Sequence, residues 1–72
     1  MTLGEQRVRS NFNPNHHTIV DEIKGRTAAL IDLCESEKPN ANSGEAARLW
    51  SLAQTTYEEA AMWAVKAATV AS

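Results

Sequence analysis

One cysteine, Cys34, stands alone in the 72 residues, so an internal disulfide is excluded. No Cys/His cluster with zinc-ligand spacing accompanies it, and the two histidines, His16 and His17, are adjacent. Neighbouring residues on a helix point about 100° apart, whereas a helical metal pair needs i,i+4 spacing. The histidines therefore read as a solvated helix start, and no metal is expected. There is no 18-residue apolar run and no charged-then-apolar leader. The chain reads as soluble, not secreted, and without a membrane partner. Basic charge is not in excess either: seven Lys and Arg against nine Asp and Glu leave a net charge of −2. Non-specific nucleic-acid binding rests on such an excess, so neither DNA nor RNA is expected, although a few local cations could hold a small anion. No Ser-His-Asp or Cys-His signature is visible. With no acid–base or metal constellation, neither an enzyme nor a cofactor is expected.

The length allows one small domain. A core of this size stabilises weakly, and small scaffolds lean on disulfides, a metal or oligomerisation. With the first two removed, oligomerisation remains.

Proline and glycine are missing from the C-terminal stretch after Gly44, which runs GEAARLWSLAQTTYEEAAMWAVKAATVAS. It holds nine alanines, the best helix former, with Leu, Met, Glu, Gln, Arg and Lys in support. Ala46, Leu49, Ala53, Thr56, Ala60, Trp63, Ala67 and Val70 alternate by three and four, a seam of the heptad kind. Trp50, Tyr57, Ala61, Ala64, Ala68 and Ala71 form a second stripe beside it. An arc this wide exceeds what one partner helix covers. The sequence predicts a helix over about 44–70 with at least two partners.

A first helix is predicted over about 16–36. Val20, Ile23, Thr27, Leu30 and Cys34 repeat the three-four spacing, with Ile19 and Ile31 broadening the face. Asn13 suits an N-cap and Pro14 the first helical position, with Asn15 and Thr18 as alternatives. Phe12, the single phenylalanine, is either a staple packing back on Ile19 or Val20 or an aromatic platform for a ligand base. Mid-helix Gly25 costs about 1 kcal/mol against Ala; it marks a close approach or is merely tolerated. Thr27 lies on the seam and needs either the Ile23 carbonyl or something bound. Cys34, on the same seam, reads as a small buried hydrophobe.

Residues 37–42, EKPNAN, read as a loop in which Pro39 stops the first helix. Asn42 with Glu45 forms a possible capping box, and Ser43 is a rival cap. So short a link predicts antiparallel helices. The whole chain, 1–72, then reads as one hairpin domain whose residues 1–13 are a polar arm carrying Arg7 and Arg9. The arm is either mobile or reaches a neighbouring subunit. Lys66 should share an end of the hairpin with Phe12, where a cation suits the helix C-terminus.

The stretches NFNP at 11–14, VDEIK at 20–24, TAALID at 27–32 and above all YEEAAMWAVKAAT at 57–69 resemble a known family. It is that of the short phage anti-CBASS sponges, whose hairpin domain also occurs in anti-Thoeris sponges. The resemblance spans Arg7 to Thr69. It implies an all-α helical hairpin assembled as a symmetric homo-oligomer, in that family typically a hexamer. Pockets between protomers would hold cyclic dinucleotides, and a separate site cyclic trinucleotides. The signal would be sequestered in the host cytoplasm without being cleaved, so that the host effector is never switched on. The resemblance places Asn11, Phe12, Lys24, Arg26, Thr27 and Lys66 at ligand sites. Phe12 would stack on a base where the family uses Tyr, and Lys24 would contact phosphate. Arg26 and Thr27 lie where a hydroxyl contact is expected. Lys66 would serve the trinucleotide site where the familiar residue is Arg, which loses a bidentate grip. The alternative from a different class is a structural helical oligomer or adaptor with no nucleotide ligand, to which Phe12 and Lys24 would be dispensable.

Overall fold

Ser43 starts the longest helix. Its Oγ accepts a hydrogen bond from the Ala46 N–H at 3.1 Å, satisfying one of the donors a helix start leaves open. The rival cap is thus the one used. Glu45 does not fold back toward Asn42; both of its carboxylate oxygens accept from Arg48, at 2.8 and 2.9 Å. The computed structural model describes residues 2–8 and 18–70. Three α-helices follow one another: α1 (Leu3–Val8), α2 (Thr18–Glu37) and α3 (Gly44–Thr69). A 3-10 turn at Lys38–Asn40 links α2 to α3, so Pro39 ends α2 as expected and sits in a tight turn rather than an open loop. Asn11, Phe12, Asn13, Pro14, Asn15, His16 and His17, and the expectations placed on them, lie outside the described residues.

The arm departs from expectation. Its residues 3–8 are helical and docked. Thr2 and Glu5 close a reciprocal capping box: the Glu5 N–H donates to Thr2 Oγ1 at 3.1 Å, and the Thr2 N–H to Glu5 Oε1 at 2.8 Å. Six residues cannot hold a helix by propensity; the contact with α2 does so. The Gly4 N–H, another open donor of a helix start, reaches Asp32 Oδ1 at 2.7 Å. A Cβ on Gly4 would stand 2.0 Å from the Ala28 carbonyl oxygen, so only glycine lets the two helices come this close.

α2 and α3 are antiparallel neighbours. The Gln54 side chain meets Ile31 and Glu35, while Lys24, two turns earlier, shares a groove with Ala61 and Val65. The face of α3 turned to α2 is the second stripe: Trp50, Tyr57, Ala64 and Ala68 are half-buried and Ala61 is buried. Gln54 belongs to this face although it is polar. It is 1 % exposed, and its Nε2 donates to the Ile31 carbonyl at 3.1 Å and to Glu35 Oε1 at 3.0 Å. That second bond is the chief reason the Glu35 carboxyl is held below its usual value; Lys38, at 3.0 Å, adds to it.

The heptad seam faces outward. Leu49 and Trp63 are 48 % and 63 % exposed, with Thr56, Ala60, Ala67 and Val70 also exposed. On α2, Val20, Ala28, Ile31 and Cys34 are buried, whereas Ile19, Leu30 and Leu33 remain exposed. The central cluster is small: Val8, Ala28, Ile31 and Ala61, with Leu3, Ile23 and Tyr57 against it. A body of 45 × 22 × 12 Å is one layer of helices thick, and a single layer cannot cover both of its faces. Among the described residues, no helix is long and apolar enough to cross a membrane.

Candidate functional site

Glu58, Ala61, Met62 and Val65 recur at helical spacing on α3 and lie on one side of it. Against them stand Lys24 of α2 and Arg7 and Val8 of α1, and the three helices enclose a groove of about 440 Å³. That is within the size of ordinary small-molecule sites. Its floor is apolar, from Val8, Ala61, Met62 and Val65, and among the described residues its polar groups are two cations and one carboxylate. The groove exists because α1 docks: Gly4, Arg7 and Val8 are spaced by three and four, so the face that seats Gly4 on α2 also presents Arg7 and Val8.

The expected site residues do not all converge on it. Lys24 lines the groove and is half-buried. Thr27, one turn along α2, is half-buried and does not line it. Among the described residues its hydroxyl has no hydrogen-bond partner, whereas Thr55, Thr56 and Thr69 bond back to carbonyls of their own helix. Of the two partners the sequence allowed Thr27, the Ile23 carbonyl is therefore not the one used. Arg26 turns away, its side chain 79 % exposed and paired with Glu22 at 2.6 Å. Lys66 lies on the outer side of α3, with Nζ 5.6 Å from the centroid of the Trp63 ring. Such a pair is a cation–π contact of the exposed kind. Asn11 and Phe12 lie outside the described residues. Gly25 has nothing within 4 Å of where a Cβ would stand, so among the described residues no other element packs against it there.

Arg7, Glu58 and Met62 are groove residues that the sequence reading missed. Arg7 falls in the arm expected to be mobile or to reach a neighbouring subunit, although the T-x-x-E of Thr2 to Glu5 marks a helix start. Glu58 and Met62 stand beside the chosen stripes of α3, not on them. A second, shallower cleft of about 390 Å³ opens on the outer side of α3 between Leu49, Leu52, Ala53, Thr56 and Tyr57. It carries no cation. Among the described residues, no three His, Cys, Asp or Glu side chains group as a metal site.

A family model described as Acb2/Tad1, hairpin domain, matches residues 4–69. The match starts at the glycine that seats α1 and ends at the last residue of α3, so it takes in all three walls of the groove. Comparison with curated proteins and with solved structures gives no match. A match over nearly the whole chain, on an all-helical fold whose groove offers cations above an apolar floor, places the protein in the Acb2/Tad1 hairpin family of anti-CBASS and anti-Thoeris sponges, which bind cyclic oligonucleotides and do not cleave them.

Proposed function

We propose that the protein sequesters cyclic dinucleotide immune signals in the cytoplasm of a phage-infected host and so keeps CBASS effectors switched off. The observation that carries this reading is Lys24 in the groove where α1, α2 and α3 meet, above an apolar floor. A cyclic dinucleotide has two anionic phosphates and two flat bases. Lys24 supplies a charge-assisted contact to a phosphate. Phe12 supplies a stacking face, worth about 1–3 kcal/mol per base, with Asn11 beside it. Thr27 carries a hydroxyl with no partner on its own helix, one turn from Lys24. Arg26, engaged with Glu22 on the exposed side, reaches a ligand only across a subunit boundary.

The working form is a symmetric homo-oligomer, a hexamer in this reading. Support comes from the one-layer body and from the large side chains left exposed along α3. Two-fold symmetry supplies both halves of a dinucleotide site from copies of one chain. Lys66, with the exposed Trp63 ring beneath it, is the cation assigned to a separate cyclic trinucleotide site. The ligand leaves intact.

A thermal-shift screen of cyclic dinucleotides, cyclic trinucleotides and their linear counterparts tests the reading. Stabilisation by cyclic ligands alone is expected. After protease digestion of the loaded protein, chromatography should recover the cyclic compound unchanged. Linear products that track the protein, or no ligand at all, would overturn the assignment. In the second case the structural-oligomer alternative stands, since exposed Leu49, Leu52 and Trp63 serve it equally well.

A further inference from the structure

Arg7 differs from the other described cations in how it is engaged. Arg26, Lys38 and Arg48 are each paired with a carboxylate one helical turn away, and Lys66 rests over Trp63. The guanidinium of Arg7 has no ion pair or hydrogen bond among the described residues and feels the Glu35 carboxylate only at longer range, yet Arg7 is half-buried and lines the groove with Lys24. Glu58 lines the same groove without pairing to it. A partly desolvated guanidinium needs an acceptor, and its planar fork matches a phosphate through two parallel hydrogen bonds. Its place is fixed by backbone contacts rather than by chance of a loose arm. The Gly4 N–H is bound to Asp32 at 2.7 Å, and the α1 backbone lies too close to Ala28 for any side chain at position 4. Arg7 follows one turn later on the same face.

We propose that Arg7 is the second phosphate-binding cation of the groove and grips a ligand phosphate through its guanidinium fork. The first, short helix is then a wall of the binding site. This deepens the cyclic-dinucleotide reading and rests on it.

The test is calorimetric titration of 3′,3′-cyclic di-AMP and of 3′,3′-cyclic GMP–AMP into the wild type, Arg7→Gln, Arg7→Lys and Lys24→Ala. Each titration is run at low and at high salt, beside a ligand-free melt and light scattering. Arg7→Gln is expected to weaken binding about 10- to 150-fold, the range for a hydrogen bond to a charged group. Its affinity should also depend less on salt than that of the wild type, because one screened charge has gone. Arg7→Lys should keep the wild-type salt dependence and lose several-fold in affinity, since the charge stays and the fork does not. Wild-type affinity in Arg7→Gln, with binding lost in Lys24→Ala, overturns the role of Arg7 and leaves the sponge reading intact. Absence of binding of every cyclic nucleotide by the wild type overturns that reading and this one with it. If Arg7→Gln fails to assemble, Arg7→Lys decides: unchanged affinity there overturns the fork.

Discussion

The two sides of α3 solve opposite problems. The side turned to α2 is made of small residues, Ala61, Ala64 and Ala68, spaced by one buried amide and two half-buried rings. It lets helices approach closely and contributes little apolar area for each residue. The outer side carries Leu49, Leu52 and Trp63 and leaves them in solvent. In a chain of 72 residues this inverts the usual economy of a small domain, in which the largest hydrophobes are the first to be buried. The difference teaches that the hairpin forms without burying its largest side chains. The inner side specifies the hairpin, and in the oligomer proposed above the outer side is the surface that meets another copy.

The sharpest way to break this division is to charge the outer side. Leu49→Glu with Leu52→Glu should leave the protomer sequence able to form α2 and α3 but abolish assembly. Light scattering is expected to drop from several protomer masses to one, or to an unfolded chain. Retention of the wild-type mass would mean that the exposed leucines are not an interface.

The inner side is probed at Gln54. Gln54→Ala removes a side chain that is buried and twice hydrogen-bonded. By comparison with Leu→Ala and Met→Ala in cores, the loss should be about 2–5 kcal/mol. Gln54→Leu, which keeps the volume and leaves Glu35 to solvent, should melt above Gln54→Ala. If Leu is the worse of the two, the amide matters more than the space it fills.

Lys24→Ala separates ligand from fold. It should weaken cyclic dinucleotide binding about 10- to 150-fold while the ligand-free melt stays nearly constant, because a solvent-reachable lysine seldom stabilises much. A collapsed oligomer in this variant would make Lys24 structural. Gly4→Ala tests the wall that α1 adds. The new Cβ meets backbone, which cannot rotate away, so about 1–3 kcal/mol of strain is expected. Faster amide exchange confined to α1, with α2 and α3 still protected, is the predicted signature; uniform loss of protection would argue against a separable α1.

The smallest effect is that of acid. Glu35, Glu5 and Glu45 are held below the ordinary carboxylate range, first by the Gln54 amide, the Thr2 backbone N–H and Arg48 respectively. A lowered folded value stabilises above the unfolded value of about 4.3 and is lost as pH falls through the folded one. The melting temperature should therefore be level from pH 7 to about 5 and decline below about 4.3. Glu35→Gln should flatten part of that decline. All three carboxylates are well solvated, so the slope should be shallow.

How legible the molecule was in its sequence differs between the same two sides. Periodicity predicted helices over about 16–36 and 44–70, and α2 and α3 span Thr18–Glu37 and Gly44–Thr69, with 16 and 17 outside the described residues. It could not say which stripe of α3 meets α2. Hydrophobicity favours the stripe with Leu49 and Trp63; packing chose the one that lets backbones approach. Gln54 was invisible for the same reason, since a polar residue scores against burial until its two acceptors are known. The capping box of Thr2 and Glu5 was present in plain sight, but a six-residue helix exists only through its contact with Ala28 and Asp32, which lie 24 and 28 positions away from Gly4. Of the residues expected at ligand sites, Lys24 lines the groove, where Arg7 joins it unexpectedly, and Arg26 and Lys66 lie on other surfaces of the protomer.

Gln54 has one more effect, on alignment. The C-terminal half of the contact, Ala61, Ala64 and Ala68, is smooth, and sliding α3 along α2 by one turn, about 5.4 Å, would replace alanine by alanine there. The amide does not allow it. A slip in one direction takes Gln54 off the Ile31 carbonyl and Glu35; a slip toward the groove drives it among Val8, Ala28 and Ile31, where an unpaired amide costs about 1–3 kcal/mol. The side chain works as a detent, beside the rings of Trp50 and Tyr57, on a rail whose far end is plain alanine. Because Lys24 comes from one helix and Ala61 and Val65 from the other, that single stop sets the shape of the groove from two turns away.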